Sequence, residues 1–160
     1  MDDAIKVSFG RNITPVRRTE KGTLYRMEDK TGVGTMEVYH VFPGIELVYN
    51  DFHMETCLSE FYSKVPLLGI DHCKEGRIEW EMTGGSCLYL QEGDLQVSGK
   101  RDQIRAFGFP LSHYHGITVG IYVDDLDSPT RELLEFFGVS IDALYRRYCS
   151  SDTGAYLNRA

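Results

Sequence analysis

From Gly34 to Val123 the chain breaks repeatedly into short runs that alternate polar and apolar residues, and most of them end at a glycine-bearing turn. A period of two is what a half-buried strand requires, because successive side chains point to opposite faces of a sheet. The clearest case is Arg77-Ile-Glu-Trp-Glu-Met82, which predicts a strand with Ile78, Trp80 and Met82 on its buried side. Thr35 to Phe42 and Ile45 to His53 flank Pro43-Gly44, the central pair of a type II turn, and together read as a hairpin. Further on, Thr83-Gly84-Gly85 and Gln91-Glu92-Gly93-Asp94 turn the chain between Ser86–Leu90 and Leu95–Ser98, and the run from Phe107 to Val123 supplies closing strands. Short strands at nearly even spacing describe a sandwich or barrel.

The period changes after residue 124. Ser128-Pro129 reads as an N-cap followed by proline at the first helical position, with Leu133, Leu134, Phe136 and Phe137 forming a helix that Gly138 ends. Ser140 caps a second helix, Ile141 to Tyr148. The expected organisation is an irregular N-terminal arm over 1–33 with one edge strand near Thr23–Met27, a β-barrel over 34–124, helices over 125–150 and a flexible tail over 151–160. Glu55 to Pro66 reads as a loop, and Lys74-Glu75-Gly76 as a tight polar segment separating Leu67–Cys73 from the strand at Arg77. A chain of 160 residues suffices for one domain with a real core.

Charge narrows the partners. With 24 acidic residues against 17 basic ones the net charge is -7, which repels a phosphate backbone unless the bases gather on one face. Only Arg17-Arg18 and Arg146-Arg147 are adjacent basic pairs. No apolar run reaches the length of a signal peptide core or a membrane span, so the expectation is a soluble cytoplasmic protein with no membrane partner. Cys57, Cys73, Cys87 and Cys149 show no metal-site or disulfide spacing and read as reduced thiols.

Three segments carry a resemblance. Val41-Phe-Pro-Gly-Ile-Glu-Leu-Val-Tyr-Asn-Asp-Phe-His53, His72-Cys-Lys-Glu-Gly-Arg-Ile-Glu79, and Tyr89-Leu-Gln-Glu-Gly-Asp-Leu95 followed by His113-Tyr-His-Gly-Ile117 stand in an order similar to the N-terminal sensing domain of AraC-family transcription regulators, in the branch found in Firmicutes. That resemblance implies a mainly β fold, a cupin-like double-stranded β-helix barrel (jelly roll) with two C-terminal α-helices. It also implies a domain that senses a small-molecule effector, such as a sugar or organic acid, and forms a homodimer. DNA would be contacted only through a C-terminal helix-turn-helix domain that this sequence does not contain. Metal-binding cupins carry two His and a Glu ahead of the Glu-Gly turn, where this chain reads Ser63-Lys-Val-Pro-Leu-Leu-Gly69, so the resemblance implies no metal, no other cofactor and no enzymatic activity. The alternatives are a stand-alone cupin enzyme, an isomerase or dioxygenase, and a dimerisation module whose pocket is filled by its own side chains.

The candidate ligand-binding residues are His40, Tyr49, His53, His72, Arg77 and Trp80. The three histidines offer hydrogen bonds to a polar effector, though satisfaction by backbone partners is the plainer account. Tyr49 and Trp80 offer flat faces, though ordinary core packing is the plainer account. Arg77 lies among Glu75, Glu79 and Glu81, which read either as a polar pocket wall or as a solvated sheet face. Cys73 beside His72 suggests a thiol and base, but adjacent strand residues face opposite ways. His113 and His115 share a face without a third ligand partner. The expected outcome for DNA is that the 160-residue chain gives no sequence-dependent gel shift with duplex probes, and a specific footprint would contradict the charge argument.

Overall fold

The computed structural model describes residues 7–8, 12–58, 60–99, 104–149 and 155–157. Its strands are β1 (Val7–Ser8), β2 (Ile13–Arg18), β3 (Gly22–Asp29), β4 (Gly32–Phe42), β5 (Ile45–His53), β6 (Thr56–Leu58), β7 (Tyr62–Ser63), β8 (Leu67–Met82), β9 (Cys87–Gln91), β10 (Leu95–Ser98), β11 (Ile104–Gly108), β12 (Tyr114–Tyr122) and β13 (Ala155–Leu157). Helices α1 (Ser128–Phe136) and α2 (Ile141–Tyr148) follow β12. The mainly β architecture with two C-terminal helices is the one the sequence predicts.

One strand organises the rest. The first part of β8 lies between β10 and β12 in a sheet of order β13-β10-β8-β12-β5-β4-β3-β2, while its last residues, 77–82, pair instead with β9 and β11. The chain passes from one wing of the curled sheet to the other without leaving strand conformation. At the crossing, Gly116 of β12 pairs with Cys73 and His115 pairs with Glu75, so Lys74 is an extra, bulged residue. Gly76 beside it has φ +80, a left-handed conformation that glycine adopts freely, and a Cβ there would fall on the carbonyl oxygen of His113.

The bulge changes which residues face inward. Before it, Leu67, Gly69, Asp71 and Cys73 are buried, and after it the buried set switches to Gly76, Ile78 and Trp80. An unbroken alternation would have carried Arg77, Glu79 and Glu81 into the interior. Inside the barrel Phe52 stacks on Phe109 at 5.1 Å between ring centroids, with Trp80, Ile78, Leu90 and Tyr114 completing this core. A second core lies on the opposite face of the same sheet, where Leu68, Ile121, Val97 and Ile45 meet Ile141 and Cys149, with Leu134, Leu144 and Tyr145 packed against them.

Several expectations are corrected. The segment read as an irregular arm forms the paired strands β2 and β3 from Ile13 onward, because β3 supplies Met27 to the barrel core, and residues 1–6 and 9–11 lie outside the described ones. Lys74-Glu75-Gly76 is a bulge within one continuous strand of 16 residues, not a turn between two. Short strands β6 and β7 lie within the expected loop 55–66. In the expected tail, Ala155–Leu157 pairs with β10, and the remaining tail residues lie outside the described ones. Asp127 rather than Ser128 caps α1, accepting a hydrogen bond from the Thr130 amide at 2.9 Å. Hydrogen bonds from the Thr130 side chain and amide hold the Asp127 carboxyl below its ordinary value. Ser140 caps α2 as expected. The apolar group on α1 divides, since Leu134 packs on the second core while Phe136 and Phe137 are 83% and 71% exposed.

Replacing Gly76 by Ala is expected to destabilise the protein by about 2 kcal/mol or more, since the left-handed backbone and the His113 carbonyl both oppose a Cβ. Chemical denaturation checks this. A cost within a few tenths of a kcal/mol would mean that the bulge is not where the structure puts it.

Candidate functional site

The inner faces of β5, β12 and β8 form one wall, and their register sets its chemistry. Across the three strands Val48, Thr118 and Asp71 make one row, and Glu46, Gly120 and Gly69 make the next. The glycines leave Glu46 with no side chain beside it on the β12 and β8 side of its row, and its neighbour on β4 is His40. A Cβ on Gly120 would meet only Leu67 Cδ1 at 3.7 Å, so this glycine answers no backbone strain and no crowding, and its effect is open space. Gly116 is different, because its missing side chain is where the Tyr114 hydroxyl sits.

The space is a cavity of about 130 Å³. A cavity of about 150 Å³ takes one benzene ring, which sets the scale of an occupant. Most of the lining is apolar, with Phe52, Trp80, Phe107 and Phe109 prominent, and Leu58 and Phe61 belong to it too. The polar residues of the described lining include Glu46, Asn50, Asp71, Tyr114, Thr118 and Tyr122, and no Lys, Arg or His stands among the described lining residues.

Those polar groups are linked in a fixed direction. Asn50 Nδ2 donates to Thr118 Oγ1 at 3.1 Å, and the Thr118 hydroxyl donates to Asp71 Oδ1 at 2.6 Å. The Tyr122 hydroxyl donates to Glu46 Oε2 at 2.9 Å, while Glu46 Oε1 lies 3.1 Å from His40 Nδ1. Asp71 is 5% exposed, and a buried carboxylate is tolerated only when such donors replace the water it loses. The Thr118 and Tyr122 hydroxyl hydrogens thus end on carboxylates.

Of the six residues singled out from the sequence, the structure places Trp80 in the cavity lining. His40 stands outside the lining but touches Glu46, its cross-strand neighbour on β4. Tyr49 and His53 are on the outer face of β5, Tyr49 meeting Tyr39 edge to face at 6.0 Å and His53 lying 2.9 Å from Asp51. His72 sits between Leu95 and Ile117 on the face of β8 turned from the cavity. Arg77 lies over the Tyr89 ring at 4.2 Å and pairs with Glu79 at 2.8 Å, so the charged stretch is a sheet surface. The bulge is the reason: it turns Arg77 outward and Trp80 inward.

The sequence-based selection did not include Glu46, Asn50, Asp71, Thr118 and Tyr122. Asp71 carried a visible signal, a carboxylate within the apolar run Leu67 to Cys73. The cavity also touches Cys57, whose thiol is pushed up to about 11 by burial and by the Asp29 charge. Burial, with the charges of Asp94 and Glu92, pushes Cys73 up to about 12. Among the described residues no group of three or more His, Cys, Asp and Glu side chains is gathered as a metal-binding cluster.

No protein-family model and no curated protein matches the sequence. Solved structures do resemble the chain in architecture. A transcriptional regulator of the HTH_3 family from Vibrio cholerae is 16% identical over 54% of this chain, with a TM-score of 0.43. The chain spans about half of that regulator, 51% of its length. Ectoine synthase from P. lautus is 16% identical over 60% of this chain and 67% of its own, with a TM-score of 0.40. The cupin domain of Schizosaccharomyces pombe Cnp3 is 6% identical over 67% of this chain and 72% of its own, with a TM-score of 0.44. The expectation that the chain is not an enzyme is corrected by these neighbours, since a synthase stands among the proteins of similar architecture and that expectation is withdrawn.

Because the thiolate is the reactive form, native protein at neutral pH is expected to react quickly with maleimide at exposed Cys87 alone among the four cysteines. Peptide mass spectrometry locates the label. Fast labelling of Cys57 or Cys73 would show that the interior is more open than described.

Proposed function

We propose that the chain is a small-molecule-binding module whose ligand occupies the cavity between Trp80 and Asp71, in the effector-sensing role that the resemblance to AraC-type regulators implies. The observation that carries this reading is Gly120, a strand glycine that no turn or close approach requires and whose consequence is an open, largely apolar cavity. Pockets of this make-up, apolar walls with a few convergent polar groups, are the usual form of ligand sites.

The route from cavity to helices is short. Thr118, Gly120 and Tyr122 line the cavity on β12, which runs straight into a single 3-10 turn, Val123–Asp125, and then α1. Arg131 of α1 donates to the Val123 carbonyl at 2.6 Å and reaches Asp142 of α2 at 3.3 Å, tying the end of the cavity strand to both helices. A ligand that displaces Tyr122 acts on that junction, provided it binds one arrangement more tightly than the other.

The Asp71 carboxylate, held 2.6 Å from a hydroxyl inside the same cavity, favours a second reading, a stand-alone isomerase with Asp71 as proton acceptor. Incorporation of solvent deuterium into a bound carbonyl compound, lost in Asp71→Asn, would support it over sensing.

Trp80 is the chain's single tryptophan, so its fluorescence reports the cavity directly. Fragments of roughly benzene size and slightly larger are expected to change its emission saturably. Gly120→Val is expected to fold with unchanged or raised thermal stability and to lose that response, because its side chain projects into the space the ligand needs. Equal responses from both proteins, or none from either, would contradict the reading.

A further inference from the structure

We infer that the ligand is a neutral, hydrocarbon-like ring compound, in place of the sugar or organic acid that the resemblance to AraC-type regulators implies. The inference rests on the cavity being a ligand site and adds the class of ligand.

The hydrogen bonds of the polar wall lead to it. Asn50 donates to Thr118, and Thr118 donates to Asp71 Oδ1. Glu46 takes the Tyr122 hydroxyl hydrogen on Oε2 and meets His40 through Oε1. Among the described residues no lining side chain holds a buried nitrogen or oxygen without a hydrogen-bond partner. The polar groups of the wall are thus engaged with one another and with His40 before any ligand arrives. A ligand hydroxyl, carboxylate or ammonium gives up its water on entry and has to compete for groups that already hold a partner. A hydrocarbon has no such loss to make good.

The rest of the lining supplies the attraction. Phe52, Trp80, Phe107, Phe109 and Tyr114 surround the space with aromatic rings, and Phe52 stacks on Phe109 at 5.1 Å. A ring entering such a group gains dispersion and ring-to-ring contacts and leaves no polar group of its own dry.

Size and access point the same way. The cavity, about 130 Å³, is on the scale of one benzene ring. A sugar ring would bring hydroxyls on most of its edge against aromatic walls. Leu58, which also lines the cavity, is 69% exposed, so the apolar lining continues to the surface.

The test titrates toluene, benzyl alcohol, benzylamine, benzoate and D-ribose into the full chain at neutral pH, with Trp80 emission and calorimetry as readouts. Toluene is expected to bind at least about tenfold tighter than each of the other four. Thr118→Val keeps the side-chain shape but withdraws the acceptor of Asn50 and the donor to Asp71 Oδ1, so benzyl alcohol is expected to gain on toluene by about threefold or more. Tyr122→Phe, which withdraws the donor to Glu46 Oε2, is expected to act in the same direction. Circular dichroism checks folding of each variant, and if neither folds, the wild-type ranking decides. A polar probe that binds within about tenfold of toluene, or a toluene preference that stays within about threefold of wild type in every folded variant, overturns the inference. If polar probes saturate the Trp80 signal and toluene does not, the hydrocarbon assignment fails and the cavity reading stands. If nothing saturates that signal, the cavity reading itself fails.

Discussion

The pairing of β8 with β12 slips by one residue at Lys74, and most of what is distinctive in the protein depends on that slip. A strand of 16 residues that kept one alternation could place Asp71 inside or Trp80 inside, but not both, because they are an odd number of residues apart. The bulge resolves the conflict, and Gly76 makes it affordable in backbone terms by taking the left-handed conformation against the His113 carbonyl. One continuous strand therefore contributes a carboxylate to the polar end of the cavity and an indole to the apolar end. The same strand joins the two wings of the sheet, so site and architecture rest on one feature.

The second constraint is burial on two sides. Where β8 lies between β10 and β12, its inner face meets the cavity and its outer face meets the helices through Leu68, with Ile121 and Ile141 in the same core. A carboxylate set in such a layer loses water on both sides, and Asp71 keeps its place through the hydrogen bond from Thr118. The helices thus act on the cavity indirectly, by drying the outer face of the sheet whose inner face lines it. Phe136 and Phe137 take no part in this, being turned to the surface.

The sequence made much of this legible. Alternation in Arg77–Met82 identifies the inward Ile78 and Trp80, Pro43-Gly44 marks the hairpin, and the change of period after residue 124 marks the helices. Alternation fails where both faces are buried, and Leu67 to Cys73 reads as an unpatterned apolar run for that reason. The polar wall escaped notice because its members come from three strands and become neighbours only through register. Histidines drew attention as chemically versatile side chains, yet His53 and His72 are placed by the pleat on faces away from the cavity. The strands of the N-terminal segment escaped because Pro15 and Gly22 obscure their period, while β4 supplies the pairing that local sequence does not.

The most direct test of this account is a crystal structure determined under xenon pressure, which reports the register of β8 and the state of the cavity together. The account predicts Lys74 bulged opposite the His115–Gly116 step and a xenon atom in the apolar end of the cavity, against Trp80. A β8 without the bulge, or an interior filled by the protein's own side chains with no xenon bound, would contradict it.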